Sequence, residues 1–354
     1  MKKVRESNFE LLRCILMFMV VLVHYNADSM GKAFLYVTPG TINYYFIYFI
    51  ESLAIIGTNG FVLLTGYFSW KKTKASLRKP FGLLLYVVAY NVLFYVLNIV
   101  LLQTPFSLKS FVFSFMPRNW YITLYIVLSL LSPYINVLIE KLNKESYFVM
   151  LKIMFVCFSI WSTLLDVVNL KLGIDTTGMN TVAINGASSG YSLVNFVMLY
   201  LIGAAISKFD MLRHKLHWDV IAYFICSILI FAQQITVGAG WSYANPFVIL
   251  SCISFFNIFR KMSFKSRAIN MISTASLGVF LIHTQYMVAS YAWGMCGIQN
   301  ACQSSLVMLG IHVIVCCLIT YIGCSLIDLV CRKMVAPISR ALDKISLLNE
   351  EIGL

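Results

Sequence analysis

Long apolar runs separated by short polar stretches are the dominant pattern of this chain. A helix needs ~20 apolar residues to cross the hydrocarbon core of a bilayer, and its backbone groups must pair internally there. We therefore predict an all-α, polytopic integral membrane protein in which 1–354 form a single membrane-embedded domain without an appended soluble domain. The ten predicted spans are 9–27, 44–69, 81–103, 120–139, 147–169, 191–208, 218–237, 242–259, 272–292 and 303–328.

The second apolar run is interrupted by polar and glycine residues. Glu51 lies in its outer half, and the stretch 57–60, which contains Asn59, lies near the middle of the membrane. Polar, glycine-rich backbone at that depth indicates either a cavity or the close packing of small residues between helices. The sequence leaves both interpretations open.

Composition excludes a soluble globular protein, because 60% of residues are hydrophobic, the mean hydropathy is +0.82 and only 12% are charged. The net charge of +13 does not indicate a nucleic-acid partner, since the basic residues are dispersed in short clusters between apolar runs. The first run follows Lys2, Lys3 and Arg5 but has no small-residue cleavage site, so we expect its helix to remain in the mature protein.

The basic residues also predict the orientation. With ten spans and both termini in the cytoplasm, 23 of the 27 lysines and arginines fall in inner loops or at inner helix ends. The four that fall outside are Lys32, Lys109, Arg118 and Lys171.

Arg13 and His24 are two costly residues within the first span. They are eleven positions apart, so on an α-helix they share one face at a separation of roughly 16 Å along the axis. Ionisable residues inside a span usually face a bundle interior or a wet cavity and mark function. Two structural alternatives stay open: Arg13 could extend to lipid headgroups, and His24 could be a packing histidine near the far interface.

Three further features carry candidate chemistry. The loop after the second span contains Lys71, Lys72, Lys74, Arg78 and Lys79. It is either a cytoplasmic anchor against the lipid bilayer or a surface for a polyanionic ligand such as a nucleotide-bearing cofactor, and the sequence weights these equally. Trp120 opens the fourth span, where an interfacial aromatic belt is expected, and His283 is a second histidine inside a span.

Other catalytic patterns are absent from the sequence, which has no phosphate-binding glycine loop, no nucleophile elbow and no paired-cysteine zinc spacing. We expect no metal. Cys296 and Cys302 share a predicted outward loop and could form a disulfide.

In their order along the chain, these residues resemble acyltransferase family 3, the integral membrane enzymes that O-acetylate bacterial surface polysaccharides. The resemblance rests on Arg13 and His24 with ten residues between them, on 60–69 as a version of the family's serine-glycine-aromatic turn, and on the basic cluster. It continues through Trp120-Tyr121 with Pro133 downstream and through Leu277 to His283. The chain departs from the family pattern at Val62, Thr65 and Tyr121.

The resemblance implies an enzyme of the bacterial cytoplasmic membrane that uses a cytosolic acyl-CoA donor, by default acetyl-CoA. Arg13 and His24 would be catalytic, and the donor's phosphates would bind to Arg13 and the loop Lys71, Lys72, Lys74, Arg78 and Lys79. His24 would act as general base toward a hydroxyl of the acceptor, a surface polysaccharide or lipid-linked glycan. Glu51, Asn59, Trp120 and His283 are candidate substrate-binding residues.

Two other functions stay open at this point. A ten-span protein with intramembrane Arg, His and Glu could be a proton-coupled exporter or a lipid-linked glycan flippase. It could also be an inactive family member that acts as a sensor or assembly partner, although the presence of both Arg13 and His24 favours an active enzyme.

Overall fold

The computed structural model describes residues 6–184, 187–342 and 351–353, which form a bundle of α-helices with one short pair of strands. The helices are α1 (Ser7–Asn26), α2 (Ala33–Tyr36), α3 (Ile42–Ala54), α4 (Gly57–Ser69), α5 (Arg78–Leu102), α6 (Leu108–Ser114), α7 (Trp120–Lys141), α8 (Lys144–Phe155), α9 (Trp161–Leu172), α10 (Leu193–Lys208), α11 (Leu216–Val237), α12 (Pro246–Arg260), α13 (Arg267–Ile272), α14 (Ser276–His283), α15 (Trp293–Met295), α16 (Ile298–Cys302) and α17 (Leu306–Leu342). The strands are β1 (Lys74–Ser76) and β2 (Glu351–Gly353).

The all-helical, multi-pass character predicted from the sequence is confirmed. Among the described residues, seven helical stretches are long and apolar enough to cross a membrane, or eight if the pair Arg267–His283 and Val288–Met295, bent by 80°, counts as one span. Two more predicted spans correspond to α10 and α12, with 16 and 15 residues. At ~1.5 Å per residue these two are shorter than a hydrocarbon core of ~30 Å, so the count of ten stays a prediction.

Helix α1 is the central element of the bundle. It packs against α3, α4, α12, α13, α14 and α17. Leu12 and Leu16 join a core cluster with α4 and α12, whereas Val21 and Tyr25 join another with α14 and α17. Two opposite sides of α1 therefore pack into different hydrophobic cores. The stripe of the helix that lies between those two sides faces the space between the cores.

The second span is broken between α3 and α4, but the break lies just before the predicted stretch 57–60, which is helical. Helix α3 ends at Ala54, α4 begins at Gly57, and Ile55 and Ile56 connect them. A Cβ on Gly57 would lie 2.9 Å from the carbonyl oxygen of Leu16, so this glycine lets α4 approach α1 closely. Gly57 also lines a cavity. The two interpretations left open by the sequence therefore both hold at this position.

The segment 60–69, which resembles a family turn, is helical and forms most of α4. Its Gly66 packs directly on α10, since a Cβ there would lie 2.0 Å from the carbonyl oxygen of Tyr200. Small residues at such a crossing allow two backbones to touch inside a membrane. The glycine therefore serves helix packing, which the description as a turn did not anticipate.

The basic loop and the C-terminal strand lie together at the end of the bundle where α1 begins. We call this the basic end. Strand β1 pairs antiparallel with β2, so that Lys74 lies opposite Gly353. Asn136 of α7 holds the loop by donating to the carbonyl oxygens of Ser69 and Lys72, at 2.9 and 2.7 Å. The basic residues Lys2, Lys3, Arg5 and Lys344 of the predicted topology lie outside the described residues.

Cys296 and Cys302 are not joined in the structure, where both thiols are free. The Cys302 sulfur lies 3.9 Å from the carbonyl oxygen of Ala33, and that of Cys296 lies 3.2 Å from the carbonyl oxygen of Ala292. Each sulfur is therefore directed to a different backbone carbonyl, and the disulfide considered from the sequence is not formed.

The topology makes a direct prediction. A reporter fused after the C-terminus should give a cytoplasmic signal, because the C-terminal strand pairs with the basic loop and basic loops stay inside. A reporter inserted between Leu172 and Ile184 should give an extracytoplasmic signal. Paired alkaline phosphatase and fluorescent-protein fusions measure both, and exchanged signals at either site would contradict the orientation.

Candidate active site

Two cavities enter the bundle along the same face of α1. We name the one at the basic end the Arg13 cavity, with a volume of about 340 Å³, and the one at the opposite end the His24 cavity, with a volume of about 730 Å³. Arg13, Met17 and Val20 line the first; Val20, Val23, His24 and Ala27 line the second. The predicted common face of Arg13 and His24 is therefore present, with the two residues at different depths.

The two cavities meet at a thin partition. Val20 of α1, Thr58 of α4 and Phe280 of α14 line both of them. Thr58 is the one polar side chain of these three, and it belongs to the polar interruption 57–60 of the second span. The arrangement brings a compartment entered from one end of the bundle into contact with a compartment entered from the other.

Arg13 forms part of a cavity wall. Its guanidinium is 2.5 Å from Glu10 one turn earlier on α1, and the second Glu10 oxygen accepts a hydrogen bond of 2.6 Å from Ser273. Glu10 is buried, so this pair fixes the direction of the arginine side chain. The guanidinium is therefore held beside the cavity. An arginine that only extended to lipid headgroups would not need this pairing with Glu10.

The other walls of the Arg13 cavity are apolar with a few hydroxyl groups. Leu64, Leu83 and Phe280 supply apolar surface, and Tyr121 and Tyr125 supply phenol groups. Such a channel accommodates a narrow, mostly apolar chain that carries a few polar groups.

The basic loop lies beside this cavity. Phe68 and Ser69, the last residues of α4, line the cavity and lead directly into the loop. Lys71, Lys72, Lys74, Arg78 and Lys79 are exposed, and none of these five side chains is part of the cavity wall. The loop thus places positive charge at the basic end, outside the wall of the Arg13 cavity.

An aromatic cluster forms one wall of the His24 cavity. The Trp120 ring lies 4.4 Å from Tyr191 and 5.5 Å from Tyr243, measured between ring centroids. Asn59 supports the cluster by donating to the Tyr243 carbonyl oxygen at 2.8 Å. Trp120 therefore lines the cavity directly, and Asn59 holds its wall in place.

His24 and His283 are hydrogen-bonded across the bundle. Nδ1 of His24 is 2.6 Å from Nε2 of His283, and Nδ1 of His283 is 2.6 Å from the carbonyl oxygen of Val279. A carbonyl oxygen only accepts, so the proton of His283 is on Nδ1 and its Nε2 is the acceptor. His24 then donates from Nδ1, which leaves its Nε2 with a free lone pair.

Burial separates the roles of the two histidines. His283 is fully buried, whereas His24 lines the cavity.

Glu51 is also buried, and its carboxyl accepts a hydrogen bond of 2.8 Å from Asn26, less than one turn beyond His24 on α1. Among the predicted substrate-binding residues, Trp120 alone lines the His24 cavity, while Glu51, Asn59 and His283 lie behind its walls.

Sequence reasoning missed the residues that complete the walls, namely Tyr191, Tyr243 and Phe280. They lie on segments far apart along the chain, and each is an aromatic residue in an aromatic-rich sequence, so no spacing signals their meeting. Thr58 could have been found, because it belongs to the polar interruption 57–60 that the sequence already marks.

The donor set does not form a metal centre. Within residues 6–184, 187–342 and 351–353, no group of three or more His, Cys, Asp or Glu side chains is arranged to hold a metal ion. The polar groups that line the two cavities include an imidazole with a free lone pair, a guanidinium and several hydroxyl groups.

Comparison with known proteins identifies the family of the chain. No curated protein and no solved structure matches it. A family model described as "Acyltransferase domain" matches residues 6–329, nearly the whole chain, including Arg13, His24 and His283. The chain therefore belongs to acyltransferase family 3, as the sequence resemblance predicted, and its helices make it a multi-pass membrane acyltransferase.

Proposed function

We propose that this protein transfers an acetyl group from cytosolic acetyl-CoA to a hydroxyl of a glycan outside the bacterial cytoplasmic membrane. The acceptor would be a surface polysaccharide or a lipid-linked precursor of one. The observation that carries the proposal is the meeting of the Arg13 and His24 cavities at Val20, Thr58 and Phe280. Membership in an acyltransferase family favours this reaction over the exporter and flippase hypotheses.

The donor would enter from the basic end. Its phosphate groups would bind to Arg13 and to the exposed loop Lys71, Lys72, Lys74, Arg78 and Lys79, because guanidinium and ammonium groups are the natural partners of phosphate oxygens. Its narrow pantetheine arm fits the apolar walls of the Arg13 cavity, with the phenol groups of Tyr121 and Tyr125 available to its amides. The thioester would then lie at the partition.

The acceptor would enter the His24 cavity from the other side. Nε2 of His24 removes the proton of the acceptor hydroxyl while its oxygen attacks the thioester carbonyl carbon. The carbon–sulfur bond then breaks, and the departing thiolate of coenzyme A takes up the proton from Nε2 of His24. The acetyl ester and the free thiol are the products, and the histidine returns to its neutral form.

His283 would act as a positioning residue. When His24 accepts the proton on Nε2, its Nδ1–H still donates to Nε2 of His283, which stabilises the imidazolium in a buried environment. The Val279 carbonyl oxygen fixes the tautomer of His283, and thereby that of His24. We thus assign His283 to the orientation of His24 rather than to substrate contact.

Arg13 is tested by donor affinity. Arg13→Ala should weaken acetyl-CoA binding roughly 10- to 150-fold, the effect of losing a charged hydrogen bond of about 1.5–3 kcal/mol. Arg13→Lys should weaken it less, because lysine keeps the charge but loses the bidentate geometry. Isothermal titration calorimetry on protein in nanodiscs measures both.

The control for this experiment is Arg213→Ala. Arg213 is exposed and paired with Asp210, away from the cavity. Unchanged acetyl-CoA affinity in a folded Arg13→Ala protein, or an equal loss in Arg213→Ala, would show that Arg13 does not bind the donor.

The histidine pair is tested by substitutions that separate base chemistry from orientation. His24→Ala should lower kcat by roughly 10²–10⁴-fold with acetyl-CoA affinity retained, and His24→Gln should not restore activity, since an amide cannot take up the proton. His283→Leu should also lower kcat, whereas His283→Gln should restore part of it, because its amide oxygen can accept from Nδ1 of His24. Steady-state kinetics with radiolabelled acetyl-CoA measure these effects.

His217→Ala is the matched control, because His217 is exposed and lines neither cavity. Full activity in His24→Ala would remove the assignment of the base. Equal activities in His283→Leu and His283→Gln would show that the hydrogen bond between the two rings has no part in catalysis.

A further inference from the structure

Two more cavities adjoin the His24 cavity. The Trp293 cavity, of about 380 Å³, shares four lining residues with it: Ser29, Met30, Ala289 and Ser290. The Asn98 cavity, of about 370 Å³, also shares four: Asn91, Arg118, Gln285 and Tyr286. The two shared sets are different, so the side cavities join the His24 cavity at different parts of its wall.

The chain segments around them place both side cavities at the end opposite to the basic end. The Trp293 cavity lies between the connection from α1 to α2 and the segment 289–300. The Asn98 cavity lies between the C-terminal half of α5 and the segment 104–114. His24 lines the cavity that both of them adjoin. A ligand that fills all three cavities would therefore also fill the cavity that contains His24.

The Trp293 cavity has polar groups that lack partners within the protein. The indole nitrogen of Trp293 is a hydrogen-bond donor with no partner, although the side chain is 3% exposed. Gln299 and Asn300 add two amide side chains, and Lys32 adds a positive charge. A buried donor without a partner is uncommon, because burial removes its water.

The Asn98 cavity has a buried acceptor without a partner, where the Trp293 cavity has a donor. The amide oxygen of Asn98 is a buried acceptor with no partner, and Ser107 and Ser110 add hydroxyl groups to the same cavity. Asn91 and Gln285 are paired at 3.1 Å across the boundary with the His24 cavity. An unpaired acceptor beside hydroxyl groups suits a ligand that is itself rich in hydroxyls.

The Lys, Arg, Asp and Glu side chains that line the three cavities are all basic ones. None of the residues lining them is acidic, whereas Lys32 and Arg118 are basic. Arg118 lies at the boundary of the His24 and Asn98 cavities, with its guanidinium 5.9 Å from the centre of the Phe113 ring. These are two of the four basic residues predicted to lie outside.

We propose that the three cavities form one groove for an anionic glycan chain, with the acetylated sugar in the His24 cavity and neighbouring sugars in the Trp293 and Asn98 cavities. A carboxylate or phosphate of the glycan binds Arg118, whose planar guanidinium matches such oxygens in a bidentate manner. This inference deepens the proposed function and rests on it. It implies that the enzyme acetylates an internal sugar of a polymer rather than a single sugar unit.

The test measures binding without acetyl-CoA, so that its outcome is independent of acetyl transfer. The probes are oligogalacturonates, which carry one carboxylate per sugar, as monomer, trimer and hexamer, together with neutral maltohexaose. Calorimetry on the full-length protein in nanodiscs should show affinity rising from monomer to hexamer. The charged hexamer should bind at least about tenfold more tightly than maltohexaose, as a charged hydrogen bond requires.

Three substitutions localise the binding. Arg118→Ala should reduce hexamer affinity at least about tenfold without changing acetyl-CoA affinity. Trp293→Phe keeps an aromatic ring but removes the N–H, and Asn98→Leu removes the amide oxygen; each should weaken binding of the hexamer more than that of the monomer. The control is Lys109→Ala, since Lys109 is an exposed basic residue predicted on the same side that does not line the groove.

Several results would overturn the groove. They are equal affinity for monomer and hexamer, equal affinity for charged and neutral hexamers, or the same loss in Lys109→Ala as in Arg118→Ala. Failure of the proposed function looks different, because it would appear as the absence of His24-dependent acetyl transfer or hydrolysis from acetyl-CoA, whatever the glycan affinities are.

Discussion

The hydrogen bond between His24 and His283 joins α1 to α14, and the rest of the site depends on the geometry of that contact. A donor–acceptor distance of 2.6 Å leaves little freedom for either ring, and the Val279 carbonyl oxygen fixes the tautomer of the pair. The direction of the free lone pair of His24 is therefore set by α14. Any shift of α14 relative to α1 would also move Phe280, one of the three residues at which the two cavities meet.

A buried carboxylate holds α14 at its position. A Cβ on Gly278 of α14 would lie 1.9 Å from an oxygen of Asp328 on α17, so the two helices touch through the glycine. Tyr86 and Tyr90 of α5 donate to that oxygen at 3.0 and 2.6 Å, and Arg332 forms an ion pair with the carboxylate and bonds to Thr274. A buried charge is stable only when it is paired and hydrogen-bonded, so this network ties α5 to α17 at the point where α14 packs against Asp328 through Gly278.

Local periodicity explains which features could be predicted from the sequence. The shared face of Arg13 and His24 follows from 3.6 residues per turn, and the glycine-rich stretch 57–60 marks the neighbourhood of the break between α3 and α4, which lies at Ile55 and Ile56. The pairing of His24 with His283 spans 259 positions of the chain, and no local pattern encodes it. The same is true of the aromatic cluster around Trp120 and of the unpartnered Trp293 and Asn98 atoms, which depend on how distant helices pack.

We propose that donor and acceptor meet from opposite sides of the membrane at the partition lined by Thr58. Proteoliposomes with acetyl-radiolabelled acetyl-CoA sealed inside and oligogalacturonate hexamer outside test it directly, since neither substrate crosses lipid unaided. We predict labelled glycan outside with the wild-type protein and roughly 10²–10⁴-fold slower labelling with His24→Ala. Label that appears only when both substrates are on the same side of the membrane would contradict the account.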